Sequence, residues 1–320
     1  MARDLLYTNG VIAAREKYLL KDKILKLCES SAEETFRTLT ESGFGKGAEV
    51  GSVYDFEKLV TADEQSIDEF IREYAPSQAE QAYLLSERDF HNAKAILKAY
   101  CLHLEVEKLL APEGLISIRT ITDCIKEGNY SPLGGALSEA VEAAAKLFES
   151  EGDVSGAEIG IIFEKARFKH LVKTCSKNGV LKKLVAVRAD MTNILTALRS
   201  SESEYAQKSY VEGGKLSVKQ LDKLFSDNAE KALEGTPYSG FLKKCLKDKA
   251  EGLPLTDAER VFESYETEFF AARKYELEKA QPFLYYVFRR RAENANVRIL
   301  FVCLLAGMRE VEIKKRLRTI

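Results

Sequence analysis

Apolar residues recur along this chain at helical spacing, and polar loops carrying Gly or Pro separate the runs. The pattern predicts helices over 12–29, 32–41, 53–74, 78–110, 118–127, 134–149, 156–176, 181–203, 218–233, 238–249, 257–279, 283–306 and 310–318. Ser31-x-x-Glu34 and Thr256-x-x-Glu259 read as capping boxes at two of these starts. No stretch reads as a strand, so the expected class is all-α. One run resists this reading. In "RDFHNAKAIL", Arg88 to Leu97, the residues Asp89 and Asn92 stand in mid-helix, where both are poor formers that compete for backbone hydrogen bonds. No Pro or Gly lies between Ser77 and Leu110, so neither residue can be capping a break.

Self-similarity supplies a reason. "RDFHNAKAIL" has counterparts in "RADMTNILTAL" from Arg188 and "RAENANVRIL" from Arg291. Each places an acid three residues before an Asn: Asp89 and Asn92, Asp190 and Asn193, Glu293 and Asn296. The asparagines are 101 and 103 residues apart. "GLISIRTI" at Gly114 and "GKLSVKQL" at Gly214 repeat with nearly the same period, with Ser117 and Ser217 as N-caps. "GMREVEIKKRL" from Gly307 is a looser third copy, with Glu312 and Ile313 at the equivalent places. Phe163 and Phe262 add a marker 99 residues apart. The chain therefore reads as three helical modules, 1–112, 113–213 and 214–320. A unit this long exceeds those of helical solenoids, so three small bundles about a pseudo-threefold axis are expected. The acid and the Asn would serve structure, a neighbouring backbone satisfying each polar side chain.

Composition narrows the function. The 320 residues carry 48 Lys and Arg against 50 Asp and Glu, a net charge of −2, which gives no general attraction to nucleic acid. Six scattered cysteines without a Cys-x-x-Cys predict reduced, buried thiols in a cytosolic protein. "ILFVCLLAGM", Ile299 to Met308, is about half of what a bilayer needs and is flanked by Arg298 and Arg309. A buried helix is expected, with any tie to a membrane running through a partner.

Catalytic lures are few. Asp89 with His91 is the best, joined by Cys101 and His103, but residues two apart on a helix face different ways. The three His show no metal spacing. "GFGKGAEVG", Gly43 to Gly51, lacks the Lys-Ser/Thr of a P-loop and follows a helix, so no nucleotide is expected there. The basic stretches "FRRRAENANVR" and "REVEIKKRLR" read as a solvated face or a patch for an acidic partner. No cofactor, metal or catalytic residue is expected.

The opening "YTNGVIAAREKYLL", then "ERDFHNAKAILKA" at Glu87, and above all "AENANVRILFVCLLAGMREVEIKKRLR" resemble the C/d subunit of the V-type (archaeal/vacuolar) rotary ATPases, across the whole chain. That resemblance implies a funnel-shaped, non-catalytic socket on the cytoplasmic face of the membrane. It implies two partners, the central-stalk shaft subunits and the proteolipid rotor ring. The socket would transmit torque, so that ATP hydrolysis is coupled to proton or sodium transport. Lys94 and Arg298, each two residues after its Asn, become candidate partner contacts. Leu195 holds that place in the second copy, against a threefold role for the position. An unrelated helical adaptor with a concave binding surface is the alternative.

Overall fold

The computed structural model describes residues 4–16, 19–20, 23–150, 154–226, 228–252 and 255–318. The side chains of the expected Thr256 capping box, and residues 17–18 and 21–22 of the helix expected over 12–29, lie outside what is described, and the helix expected over 257–279 ends at Ala271. The fold is all-α, with no strand among the described residues. In chain order the helices are α1 (Leu5–Arg15), α2 (Lys23–Leu27), α3 (Ala32–Glu41), α4 (Phe56–Tyr74), α5 (Gln78–Leu102), α6 (Ile118–Glu127), α7 (Gly135–Ser150) and α8 (Gly156–Thr174). They continue as α9 (Gly179–Arg199), α10 (Ser203–Ser209), α11 (Val218–Asp222), α12 (Ser239–Ala250), α13 (Thr256–Ala271), α14 (Gln281–Leu305) and α15 (Glu310–Lys314).

Local chemistry sets the ends of these helices. The Ser31 hydroxyl accepts from the Glu34 amide at the start of α3, and Ser117 does the same for Thr120 at the start of α6. Ser217 and Gln220 form a full capping box on α11. Asp4 caps α1, so that helix begins earlier than its hydrophobic run indicates. Helix α5 stops at Leu102 rather than at 110. There His103 enters the left-handed region with φ 53°, and the Leu104 amide donates to the Ala99 carbonyl at 2.9 Å. The run expected over 218–233 breaks into α11 followed by 3-10 turns at Lys223–Phe225 and Ala229–Lys231.

The chain forms two compact units. The first joins Met1–Ser77 to Glu259–Ile320, and the second is Gln78–Ala258. In the second unit, Phe90, Ala93 and Leu97 of α5 share a core with Ile121 and Ile125 of α6, Leu137 and Val141 of α7, and Ile159 and Phe163 of α8. In the first unit, Val297, Leu300 and Phe301 of α14 pack with Leu20, Ile24 and Leu27, with Leu39 of α3, and with Leu59 and Val60 of α4. Phe301 stacks on Phe56 with ring centroids 5.0 Å apart. Helices α5, α9 and α14 bury residues around most of their circumference, which is why their sequences carry little amphipathic contrast. No described helix is long and apolar enough to cross a membrane. "ILFVCLLAGM" forms the last turns of α14 and the turn after it, burying Leu300, Phe301 and Cys303 but leaving Val302 and Leu305 exposed, so the expected buried helix is buried on one face.

Candidate functional site

The polar residues in mid-helix are anchors for backbone elsewhere in their own unit. In α5, Asn92 is fully buried; its Oδ1 accepts from the Ala111 amide at 2.8 Å and its Nδ2 donates to the Ala111 carbonyl at 3.1 Å. In α9, Asn193 does the same to Val211, at 2.8 and 3.0 Å. In α14, Asn296 does it to Arg318, at 2.7 and 3.0 Å. Each clamp reads both polar groups of one residue, 18 to 22 positions further along the chain. A carboxamide is required because it alone offers an acceptor and a donor side by side.

The acids hold pairs of amides. Asp89 accepts from the Leu115 and Ile116 amides, both at 3.0 Å. Asp190 accepts from those of Lys215 and Leu216, both at 2.8 Å, and from the Tyr238 hydroxyl at 2.7 Å. The glycine before each amide pair now has a cause. A Cβ on Gly114 would lie 2.3 Å from Asp89 Oδ1, and one on Gly214 would lie 2.3 Å from Asp190 Oδ1. Only a residue without a side chain lets the loop reach the carboxylate.

Glu293 in α14 turns elsewhere. It is fully buried and accepts from the Leu20 amide at 3.0 Å, on the N-terminal side of the chain. Arg289 and Arg290 lie 3.5 and 3.6 Å from its two oxygens, and Arg290 also pairs with the buried Asp63 of α4. Burial pushes the Asp63 carboxyl up, against the pull of Arg290, the Asn294 side chain and the Gly45 amide. Helix α15, in the looser third copy where no Ser stands, starts after Arg309 without a side-chain cap.

The other candidates disperse. His91 is exposed, with Nε2 2.9 Å from the Leu109 carbonyl, while Asp89 faces the Leu115 and Ile116 amides, so the two form no dyad. The Gly43–Gly51 loop folds into turns, with Gly43, Gly45 and Gly47 at positive φ and the Gly51 and Ser52 amides donating to Asp55. Lys58 and those amides hold the Asp55 carboxyl down at about 2. Five cysteines are buried and Cys101 is half-buried; burial pushes the Cys175 thiol up to about 12. Among the described residues no cluster of three or more His, Cys, Asp or Glu could hold a metal.

Of the two candidate partner contacts, Arg298 is paired within its unit, Nε 3.0 Å from Glu57 and a terminal nitrogen 3.3 Å from Glu64. Lys94 is half-buried beside Lys98, whose amine donates to the Gly156 carbonyl at 3.1 Å. Lys94 has no ion pair with another described residue. Leu195, at the same place in α9, is buried. Sequence reasoning located the acids and asparagines but not their partner peptides. Gly114 and Gly214 marked two of those loops; nothing in the sequence marked Leu20.

A family model described as ATP synthase (C/AC39) subunit matches residues 8–316. The chain belongs to that family. Among curated proteins this C/AC39 subunit is similar to the C subunit of the V-type sodium ATPase of Enterococcus hirae, at 21% identity over 327 residues, covering 95% of this chain and 92% of that protein. The family matches the resemblance to V-type C/d subunits that the repeated helices carry.

Proposed function

We propose that this C/AC39 subunit is the non-catalytic socket of a V-type ATPase, seated between the rotating central shaft and the membrane proteolipid ring. It would pass torque between them, so that ATP hydrolysis is coupled to proton or sodium transport. The observation that carries this reading is the threefold recurrence of the Asn clamp on α5, α9 and α14, in a chain of this family. Three long helices, each pinned to a distant loop by paired hydrogen bonds, give the stiffness that a torque-bearing part needs. In this reading the chain consists of three related helical modules. Its place in this reading is the cytoplasmic face of the membrane, held there by the ring. Neither nucleotide nor nucleic acid is a ligand.

A stable joint on each side buries on the order of 1,600 Å². Lys94 is the stronger shaft contact of the two cations, because Arg298 is already occupied by Glu57 and Glu64. The test mixes the purified chain with shaft and ring components and follows assembly by size-exclusion chromatography. A ternary complex is expected, weakened about tenfold by Lys94→Glu at unchanged melting temperature. A chain that binds neither component ends the socket reading.

A further inference from the structure

Helices α5 and α9 send their acids forward, to amides 25 to 27 residues along the chain. Helix α14 sends Glu293 to Leu20, a separation of 273 residues. The segments beyond those amides are alike in the three cases. Ile116 leads into α6 and Leu216 into α11, and α2 begins three residues after Leu20. Ile121, Leu221 and Ile24 are each buried near the start of the helix so reached. Beyond that point α6, α7 and α8 pack on α5, while α2, α3 and α4 pack on α14.

We propose that the third module is assembled from two distant stretches of chain, 281–318 and 19–74, with Glu293 as the latch that joins them. The repeat is thus cyclically shifted against the chain: an N-terminal part-module, two continuous modules built on α5 and α9, then the long helix that completes the first part. Several contacts make the join, among them the pairing of Arg298 with Glu57 and Glu64 and the Phe301–Phe56 stack. Glu293 holds the Leu20 amide, Arg290 pairs with Asp63, and the apolar core runs from Leu20 and Ile24 to Val297 and Phe301. The longer glutamate fits this role, because its partner segment is not fixed by a short loop as at Asp89 and Asp190. Load on α14 would enter the N-terminal segment through side chains rather than through neighbouring peptide bonds. The inference rests on contacts of the chain alone, so its failure would leave the socket reading standing.

Native-state hydrogen exchange on the full chain tests it. In the unmutated protein, the amides of Ile24–Leu27 and Leu59–Val60 open together with those of Val297–Phe301, with one denaturant dependence. In Glu293→Ala, exchange at Leu20 and Ile24–Leu27 accelerates about 10- to 100-fold, the expected loss of a buried hydrogen bond to a charged group. Exchange at Ile121–Ile125 stays unchanged. Glu293→Gln keeps an acceptor and gives a smaller acceleration. N-terminal amides that open independently of α14 in the unmutated protein, or that ignore Glu293→Ala, overturn the latch. The measurement on the unmutated protein decides the matter even where the alanine variant fails to fold.

Discussion

Asn92, Asn193 and Asn296 each satisfy both backbone polar groups of one residue, so truncating any of them strands a donor and an acceptor together. Asn193→Ala, whose partner Val211 is itself buried, is expected to cost about 2–4 kcal/mol. Urea unfolding should show a lower midpoint at unchanged slope. Glycines separate in the same way. Gly114→Ala drives a methyl against the Asp89 carboxylate and should cost about 1–3 kcal/mol, as should Gly214→Ala against Asp190. Gly10→Ala, with nothing within 4 Å of its Cβ inside α1, should gain about 0.5–1 kcal/mol. The clamping residues were legible in the sequence because an acid and an Asn in mid-helix contradict local propensity. Their partners were not legible, because a backbone amide has no residue-specific mark.

Helix ends and helix faces differ in how plainly the sequence writes them. Starts with Ser caps fell where the sequence put them, at α3 and α6. The end of α5 did not, because His103 takes a left-handed conformation that sequence assigns to Gly or Asn. His103→Gly should stabilise the chain by about 1 kcal/mol, read as a rise in melting temperature. Packing of α8 against α5 half-buries His170 near Phe90, ring centroids 5.7 Å apart, and leaves its buried Nε2 without a hydrogen bond. Burial, then the charge of Lys173, lowers this imidazole below its ordinary 6.5. The unfolded chain therefore binds the proton more readily than the folded one. Stability from this group is complete above pH 6.5 and is lost as pH falls from there through the folded value. Urea midpoints at pH 7.5 and 5.5 should show that loss in the parent chain and a smaller one in His170→Phe.

Across the whole molecule, the separation of contacts along the chain differs between the two units. The first unit depends on pairs 227 and 273 residues apart, Arg290 with Asp63 and Glu293 with Leu20. The core of α5 to α8 in the second is continuous in sequence. Closing the longer loops carries the larger entropy cost, so the second unit should fold first. Pulse-labelling during refolding should protect amides of 118–145 before those of 23–27 and 56–60; simultaneous protection would contradict this order. The sequence by itself determined the helical class, the hundred-residue period, the acid and Asn that carry it, and the family likeness. These are local or repeated features, and helical spacing writes them directly into neighbouring residues. Tertiary structure alone decided which peptides the clamps hold, that Arg298 is paired with Glu57 and Glu64, and that Glu293 reaches Leu20. Such choices are made by backbone atoms and long-range packing, which residue identity along the chain does not encode one position at a time.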